Sequence, residues 1–497
     1  MRQAWVWASL ASVAWIACGP LEPTRPWNGG PPVPAPAGTG GTLGASGQNG
    51  GVPGFSGAFS DNPSRVPVPV GREPGEIPLG CERLQCQQTE CESGKTTISG
   101  RVYDPAGKNS LYNVAVYIPN STPMPLPAGA SCAPCESLYT GNPVVTALTD
   151  SFGDFVIENA PDGENIPLVV QIGKWRRQFV LPRVVPCQDN PLPNRSLTLP
   201  KNRREGDMPN IAISTGAADT LECLLRRVGV DASEYASGTD DGRIHIFQGT
   251  KGPSGRGGGG TRDAPNTTVP APPSATGLWQ SADELMKYDI VLLSCEGRET
   301  QGLNREALHD YASRGGRVFA SHFHYAWFNE GPYAEENLAN WSVGSNDMGN
   351  ISAQIVTSFP KGQALWEWLR NNRGLVNGEL PIQEARHNAD VGEIHTASQA
   401  WIVANDKSNP PGATQYFSFN TPTDARIGPD GGDYCGRVVY SDLHVGAASG
   451  DDIELDIPDA CTDVELSPQE KALEFMLFDL SACVTPDDRK PEPPIVL

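Results

Sequence analysis

The chain has 497 residues, of which 54 are Gly and 46 are Pro, about a fifth of the total against roughly an eighth in average proteins. Much of it is therefore loop or linker, and the 38% hydrophobic content suffices for two ordinary cores once a disordered part is set aside. With 37 Lys and Arg against 58 Asp and Glu the net charge is -21, and no basic run is long enough to neutralise a phosphate backbone, so no nucleic acid is expected as a partner.

The N-terminus carries one charge, Arg2, then an apolar stretch from Ala4 to Ala17 that is too short to span a bilayer and closes in Ile16-Ala17-Cys18-Gly19. This pattern predicts a secretory signal peptide over 1–18. A small residue before a cysteine resembles the bacterial lipobox, although Trp15 stands where Leu is usual. The resemblance implies a diacylated Cys18 and a membrane as partner through that lipid, with an exported address in the bacterial cell envelope, at the outer membrane or cell surface. An ordinary cleaved leader with a chance cysteine is the alternative. Residues 19–79 are almost entirely Gly, Pro, Ser, Ala and Thr without an apolar face, which predicts a disordered tether.

Eleven cysteines remain if Cys18 is lipidated. Export brings them into an oxidising environment, so most are expected in disulfides, and the odd count leaves one thiol over. Cys81, Cys86, Cys91, Cys132, Cys135 and Cys187 cluster around one candidate domain and could form three bridges among themselves. Cys132-Ala133-Pro134-Cys135 has redox-motif spacing, without a thioredoxin-like pattern around it. Cys295 ends an apolar strand and is the expected leftover thiol.

Between 80 and 205 the chain reads as short strands with a turn every ten or so residues. Thr96–Asp104 alternates apolar and polar residues before Pro105-Ala106-Gly107; Val114–Pro119, Thr146–Thr149, the segment through Ile157 and Pro167–Gly173 follow. This predicts a small β-sandwich. Ile98-Ser99-Gly100-Arg101-Val102-Tyr103-Asp104, Asn113–Tyr117, the run Thr149-Asp150-Ser151-Phe152-Gly153-Asp154-Phe155, and Asn159–Gly163 resemble the carboxypeptidase regulatory-like (prealbumin-like) domain family. The resemblance implies a seven-stranded Greek-key module used for support or binding. Trp175 among Lys174, Arg176 and Arg177 has three readings. Trp175 and Arg176 could stack on a planar or sugar ligand, they could grip the neighbouring domain, or the Trp could cover the core edge while the cations stay in water.

From 206 to 485 strands alternate with helices. Met208–Gly216 is a strand breaking into a turn, Asp219–Gly229 carries a helical stripe, and Arg243–Phe247 is a strand. Gly249 to Gly277 is again Gly/Pro-rich and predicts a disordered insertion over 249–277. Tyr288–Gly297 is apolar enough for a buried parallel strand, and the amphipathic helix Asn304–Gly316 feeds a strand Arg317–Tyr325. Phe359–Asn371 and Lys471–Leu480 read as helices, the second behind the capping box Ser467-Pro468-Gln469-Glu470. The acidic run Asp451–Asp456 reads as a solvated loop, and 486–497 as a tail. The fold class is thus multidomain, a small all-β Greek-key sandwich followed by an α/β doubly wound, mostly parallel sheet with ligands expected at the strands' carboxyl ends.

Tyr288–Cys295, the helix ending Arg314-Gly315-Gly316, Val318-Phe319-Ala320-Ser321-His322 and Gly436–His444 resemble the class I glutamine amidotransferase-like superfamily, especially its trehalose-utilisation-type branch. The resemblance implies a nucleophilic Cys on a tight elbow after that Gly-Gly strand, with Gly two residues on. Ser321 or His322 stands there instead, and His324 takes the place of the Gly, so glutamine hydrolysis by that route is not expected.

Other chemistry fits the same strand ends. His322 and His324 are two apart, so both rings would project from one face of an extended strand and present two imidazoles to a divalent metal. Cys295, Glu296 and His444 are expected on neighbouring strand ends. Cys295, Glu296, His322 and His444 are therefore the catalytic candidates, and Ser321 and His324 join Trp175 and Arg176 as ligand-binding candidates. The bland alternative has His322 packed, His324 capping a loop and Cys295 merely buried. Two functions follow. The favoured one is an envelope lipoprotein with a binding or structural role toward a surface glycan or envelope protein; the other is a hydrolase or lyase, metal-dependent or glycan-related, using the Cys/His pocket.

Overall fold

The computed structural model describes residues 81–132, 135–216, 218–238, 241–249, 272–425, 433–445, 457 and 461–494. The signal peptide, Cys18, the tether, the acidic run and residues 250–271 of the expected insertion lie outside the described residues. What is described is β-rich and built on three sheets.

Eight strands come first: β1 (Thr97–Tyr103), β2 (Ala115–Pro119), β3 (Pro143–Leu148), β4 (Asp154–Glu158), β5 (Gly163–Ile172), β6 (Trp175–Val184), β7 (Asp189–Pro191) and β8 (Leu197–Thr198). They form two four-stranded sheets, β4-β1-β7 with β8 also on β1, and β3-β2-β5-β6. In β4 the pleat sends Phe155 and Ile157 inward and leaves Asp154, Val156 and Glu158 exposed. The inward pair joins Ile98 and Val102 of its own sheet and Val116, Ile118, Leu168 and Val170 of the other in one apolar core. The turn into β4 is built by Asp150, whose carboxylate accepts from the Phe152 and Asp154 backbone N–H groups. Gly153 sits there at φ +77°, where a Cβ would fall 2.6 Å from that of Ser110.

The remaining strands are β9 (Ile211–Ser214), β10 (Tyr235–Ser237), β11 (Ile244–Phe247), β12 (Ile290–Leu293), β13 (Arg317–Ser321), β14 (Asn340–Trp341), β15 (Asp347–Ile355), β16 (Leu380–Arg386), β17 (Ala389–Asp390), β18 (Ser398–Ala404), β19 (Thr414–Thr421) and β20 (Gly436–Ser441). With them run helices α1 (Leu221–Arg227), α2 (Ala275–Leu278), α3 (Ala282–Leu285), α4 (Arg305–Ser313), α5 (Pro360–Asn371) and α6 (Pro468–Ser481). The described strands of this set make one mixed sheet in the order β10-β11-β9-β12-β13-β20-β19-β18-β15-β16. From β10 to β20 neighbours are parallel; from β20 to β16 they are antiparallel.

Both faces of the parallel half are covered, which is why its strands are unbroken apolar runs. Ile290 and Leu292 face the core that holds α1 and α6 residues, whereas Val291 and Leu293 face a second core with Leu308 and Tyr311 of α4. Helix α6 starts on the capping box Ser467/Glu470 with Pro468 in its first turn.

Helix α6 also joins the small sheets to the mixed one. Phe475 stacks on Tyr112 at 5.5 Å between centroids, and Phe478 meets the fully buried Trp175 edge-on at 6.0 Å. Arg176 is buried with its guanidinium on Asp207 at 2.8 Å, and Lys174 reaches Asp289. Trp175 and Arg176 are therefore part of this seam, so the ligand-stacking reading of the pair is corrected. A Trp at the end of a strand had another apolar surface to cover, and burial there outweighs exposure to solvent.

The disulfides correct a second expectation. Cys81–Cys86 and Cys91–Cys187 close within the first segment, but Cys132 bridges to Cys435 and Cys223 to Cys461, so the six early cysteines do not pair only among themselves. Cys483 is disulfide-bonded as well. Such bridges persist in an oxidising, extracytoplasmic environment. Among the described residues no helix is long and apolar enough to cross a membrane.

Two loop expectations also change. The insertion expected over 249–277 contains, at its C-terminal end, helix α2, capped by the Ser274 hydroxyl. The expected tail 486–497 is anchored where it begins. Asp487 is buried against Arg437 at 2.7 Å and Lys361 at 3.5 Å, and the Pro494 carbonyl accepts from Thr146.

Candidate functional site

Strand register brings the candidates together. Leu293 of β12 pairs with Ala320 of β13, and Ala320 with Tyr440 of β20. Cys295, His322 and His444 follow these positions by two, two and four residues, so all three emerge at the carboxyl end of adjacent parallel strands, where open α/β sheets place their ligands. Their ligating atoms all lie within 4.8 Å of one another, and the three residues are 0%, 0% and 1% exposed.

Each is fixed by its own neighbourhood. The Cys295 carbonyl accepts from Ala218 N–H, and Gly216 passes so close that a Cβ there would lie 2.1 Å from that oxygen. The Cys295 sulfur is 3.2 Å from His322 Nδ1. His322 Nε2 lies 3.2 Å from the Ser345 carbonyl, which can only accept, so Nε2 carries the proton and Nδ1 faces the sulfur with its lone pair. The His444 ring meets that of His322 edge-on at 5.0 Å, and neither His444 nitrogen closes a well-aligned hydrogen bond, the Glu384 backbone lying near the ring.

The pair of imidazoles expected on one strand face is not formed. Strand β13 stops at Ser321, because His322 adopts φ +45° and opens a 3₁₀ turn, His322–Trp327. Side chains step by about 120° per residue in such a turn, so rings two apart diverge. His324 points elsewhere: its Nε2–H donates to the Ser294 carbonyl at 2.9 Å, while Nδ1 accepts from Trp327 Nε1–H at 3.1 Å with Thr300 Oγ1 at 3.3 Å. Both nitrogens are used, which removes His324 from the metal and ligand-binding sets.

Ser321 is likewise taken. Its buried hydroxyl donates to Asp219, whose other carboxylate oxygen accepts from the Val445 and Thr220 N–H groups. Glu296, 4% exposed, lies toward Gly249, where a Cβ would approach its Oε1 to 3.0 Å, and stands outside the three-residue cluster.

Burial sets the electrostatics. It drives His322 well below the usual imidazole range, with His444 and Arg386 adding to the effect. Burial alone takes His324 down to about 4; burial and then Arg386 take His444 to about 3, the Glu384 backbone opposing. All three rings are neutral at pH 7. Burial also pushes Asp442 up to about 7 and Asp219 to about 6. The Tyr440 hydroxyl is 2.8 Å from both the His322 carbonyl and Asp442, and a protonated Asp442 can supply the second hydrogen that this arrangement needs.

Sequence reasoning missed this supporting layer: Asp219, Arg386, Asn388, Tyr440 and Asp442. Asn388 donates to the Ser342 and Gly344 carbonyls, which shapes the loop that carries Ser345. Tyr440 and Asp442 lie in the Gly436–His444 run, where a Tyr and an Asp so near a strand end and a His were the available signal.

No family model matches the chain, and no curated protein matches it. Among solved structures, similarity was found to two interface mutants of the type II cohesin–X-dockerin complex from Acetivibrio cellulolyticus. The C-terminal interface mutant is 17% identical and the N-terminal one 16%; each alignment covers 29% of this chain and 78% of the other, with a TM-score of 0.15. At that TM-score the likeness carries no argument about fold or partners.

Proposed function

We propose that this chain is an exported, lipid-anchored cell-envelope protein whose folded part has a binding or structural role, toward a surface glycan or another envelope protein, and is not an enzyme. In this reading Cys18 holds the lipid, 19–79 is the stalk, a prealbumin-like module follows over 80–205, and an amidotransferase-like α/β domain over 206–485 lacks its elbow nucleophile. The observation that carries it is the enclosure of the candidate chemistry. Cys295, His322, His324 and His444 are at most 1% exposed, and His322 rather than a cysteine occupies the positive-φ turn after β13. A nucleophile has to meet its substrate within about 3–3.5 Å, which these surroundings do not allow without rearrangement.

The test is turnover of a panel of activated esters, amides and glycosides by the wild type and Cys295→Ala. Equal background rates are expected; turnover that disappears with Cys295 would contradict the reading. The hydrolase alternative has one observation in its favour, the 3.2 Å approach of the Cys295 sulfur to a neutral His322 nitrogen that could act as its base.

A further inference from the structure

We infer that Cys295, His322 and His444 form a buried site for one zinc-class metal ion, held by one thiolate and two imidazoles with a water in the fourth tetrahedral position. Two observations point there independently. The first is convergence: one sulfur and two ring nitrogens, delivered by three hydrogen-bonded parallel strands, lie within 4.8 Å of each other in a buried setting. In a tetrahedral zinc site with Zn–S near 2.3 Å and Zn–N near 2.0–2.1 Å, ligand atoms are about 3.4–3.6 Å apart, so only small side-chain movements close the set. The second is His444. It is fully buried, faces His322, and closes no well-aligned hydrogen bond on either nitrogen, although the Glu384 backbone acts on it, a costly arrangement for a polar ring unless an electron-pair acceptor meets it.

The surroundings suit a cation. His322 donates its Nε2 proton to the Ser345 carbonyl, the outer hydrogen bond that fixes a metal-ligating imidazole and leaves Nδ1 for the ion. Arg386 is the nearby charge that opposes a cation, and Asp347 pairs with its guanidinium. When the metal binds, the thiol proton leaves to solvent as the sulfur–metal bond forms, so the site goes from neutral to a single positive charge. Enclosure means that the ion is taken up during folding and exchanges slowly afterwards.

This inference shares its residues with the non-catalytic reading but does not depend on it. Cys295-dependent turnover would end that reading and leave a metal result standing, whereas absence of metal would end this inference alone. The experiment uses the full chain, unfolded in chelator with its disulfides intact and refolded with excess Zn(II) or Co(II). One ion per chain is expected, and for Co(II) a thiolate-to-metal charge-transfer band. Cys295→Ser should abolish the band, His444→Gln should weaken binding at least tenfold, and His309→Gln should leave both unchanged. If the site variants do not fold, the chain carrying only Cys18→Ser decides, because the band requires a thiolate and Cys295 is the free thiol among the described residues. A wild type that refolds without binding an ion, or that binds one without a sulfur band, overturns the inference.

Discussion

Two buried polar clusters in this molecule are built on different principles. At the seam, Lys361 and Arg437 meet Asp479 and Asp487: Arg437 is 3.0 Å from Asp479 and 2.7 Å from Asp487, and Lys361 is 3.1 Å from Asp479. Two cations face two anions, with Trp401 lying under Arg437. At the strand ends, Cys295, His322 and His444 present lone pairs to one another with no cation among them. The seam balances its charges within the chain and serves the fold. The strand-end cluster has three potential metal ligands and no charge of its own, and that marks it as the functional candidate.

The comparison can be broken most sharply at the seam. Arg437→Ala leaves two buried carboxylates facing one lysine and should cost about 3–5 kcal/mol, read from urea unfolding. A loss under about 1 kcal/mol would mean that the seam is not the closed network described.

A smaller, pH-dependent effect is expected at another point of the same seam, the buried carboxyl pair of Asp104 and Glu474. Burial raises both above the ordinary carboxylate range; Asp104 raises Glu474 further, while the hydrogen bond with Glu474 holds Asp104 down to about 6. The folded state therefore keeps protons that the unfolded chain has released, and this pair lowers stability as pH rises from about 4 toward neutrality. Glu474→Gln should gain on the wild type as pH rises from 5 to 7.5. His324 and His444, whose lowered values act in the opposite direction below about pH 6.5, are common to both proteins. A stability difference that is flat or reversed with pH would remove the pair from the account.

The least effect belongs to the outer surface. Lys95 and Glu158 are 2.5 Å apart but half exposed, so Lys95→Ala should change stability by less than about 0.5 kcal/mol.

How much of this was legible in the sequence follows from the range of the signal. Period-two alternation, as in β4, and apolar runs, as in β12, are local, and so are the caps at Ser281, Asn304 and Ser467. These positioned the parallel strands and the helices between them. The antiparallel half, β15 to β19, was not read, although Ser398–Ala404 and Thr414–Thr421 are rich in β-branched and aromatic residues. They lie between Asn371 and Gly436, a stretch in which no element was expected from the sequence.

At the site, Cys295 and His322 end strands consecutive in the chain, whereas His444 was expected beside them from the amidotransferase-like resemblance of Gly436–His444, since six strands separate β13 from β20 in sequence. His324 was misplaced, since nothing local announces that a histidine will take φ +45° and end the strand. The seam was hidden for a related reason. Trp175 and Cys132 have partners about 300 residues away, Asp487 has partners 50 and 126 residues away, and no local pattern encodes them.

The central claim is that the strand-end cluster is a metal site and the seam is not. X-ray absorption at the metal edge of the loaded wild type tests it most directly. The account predicts one sulfur neighbour near 2.3 Å and three nitrogen or oxygen neighbours near 2.0–2.2 Å, two imidazoles and a water. A shell of nitrogen and oxygen alone, or no bound metal to measure, would contradict it.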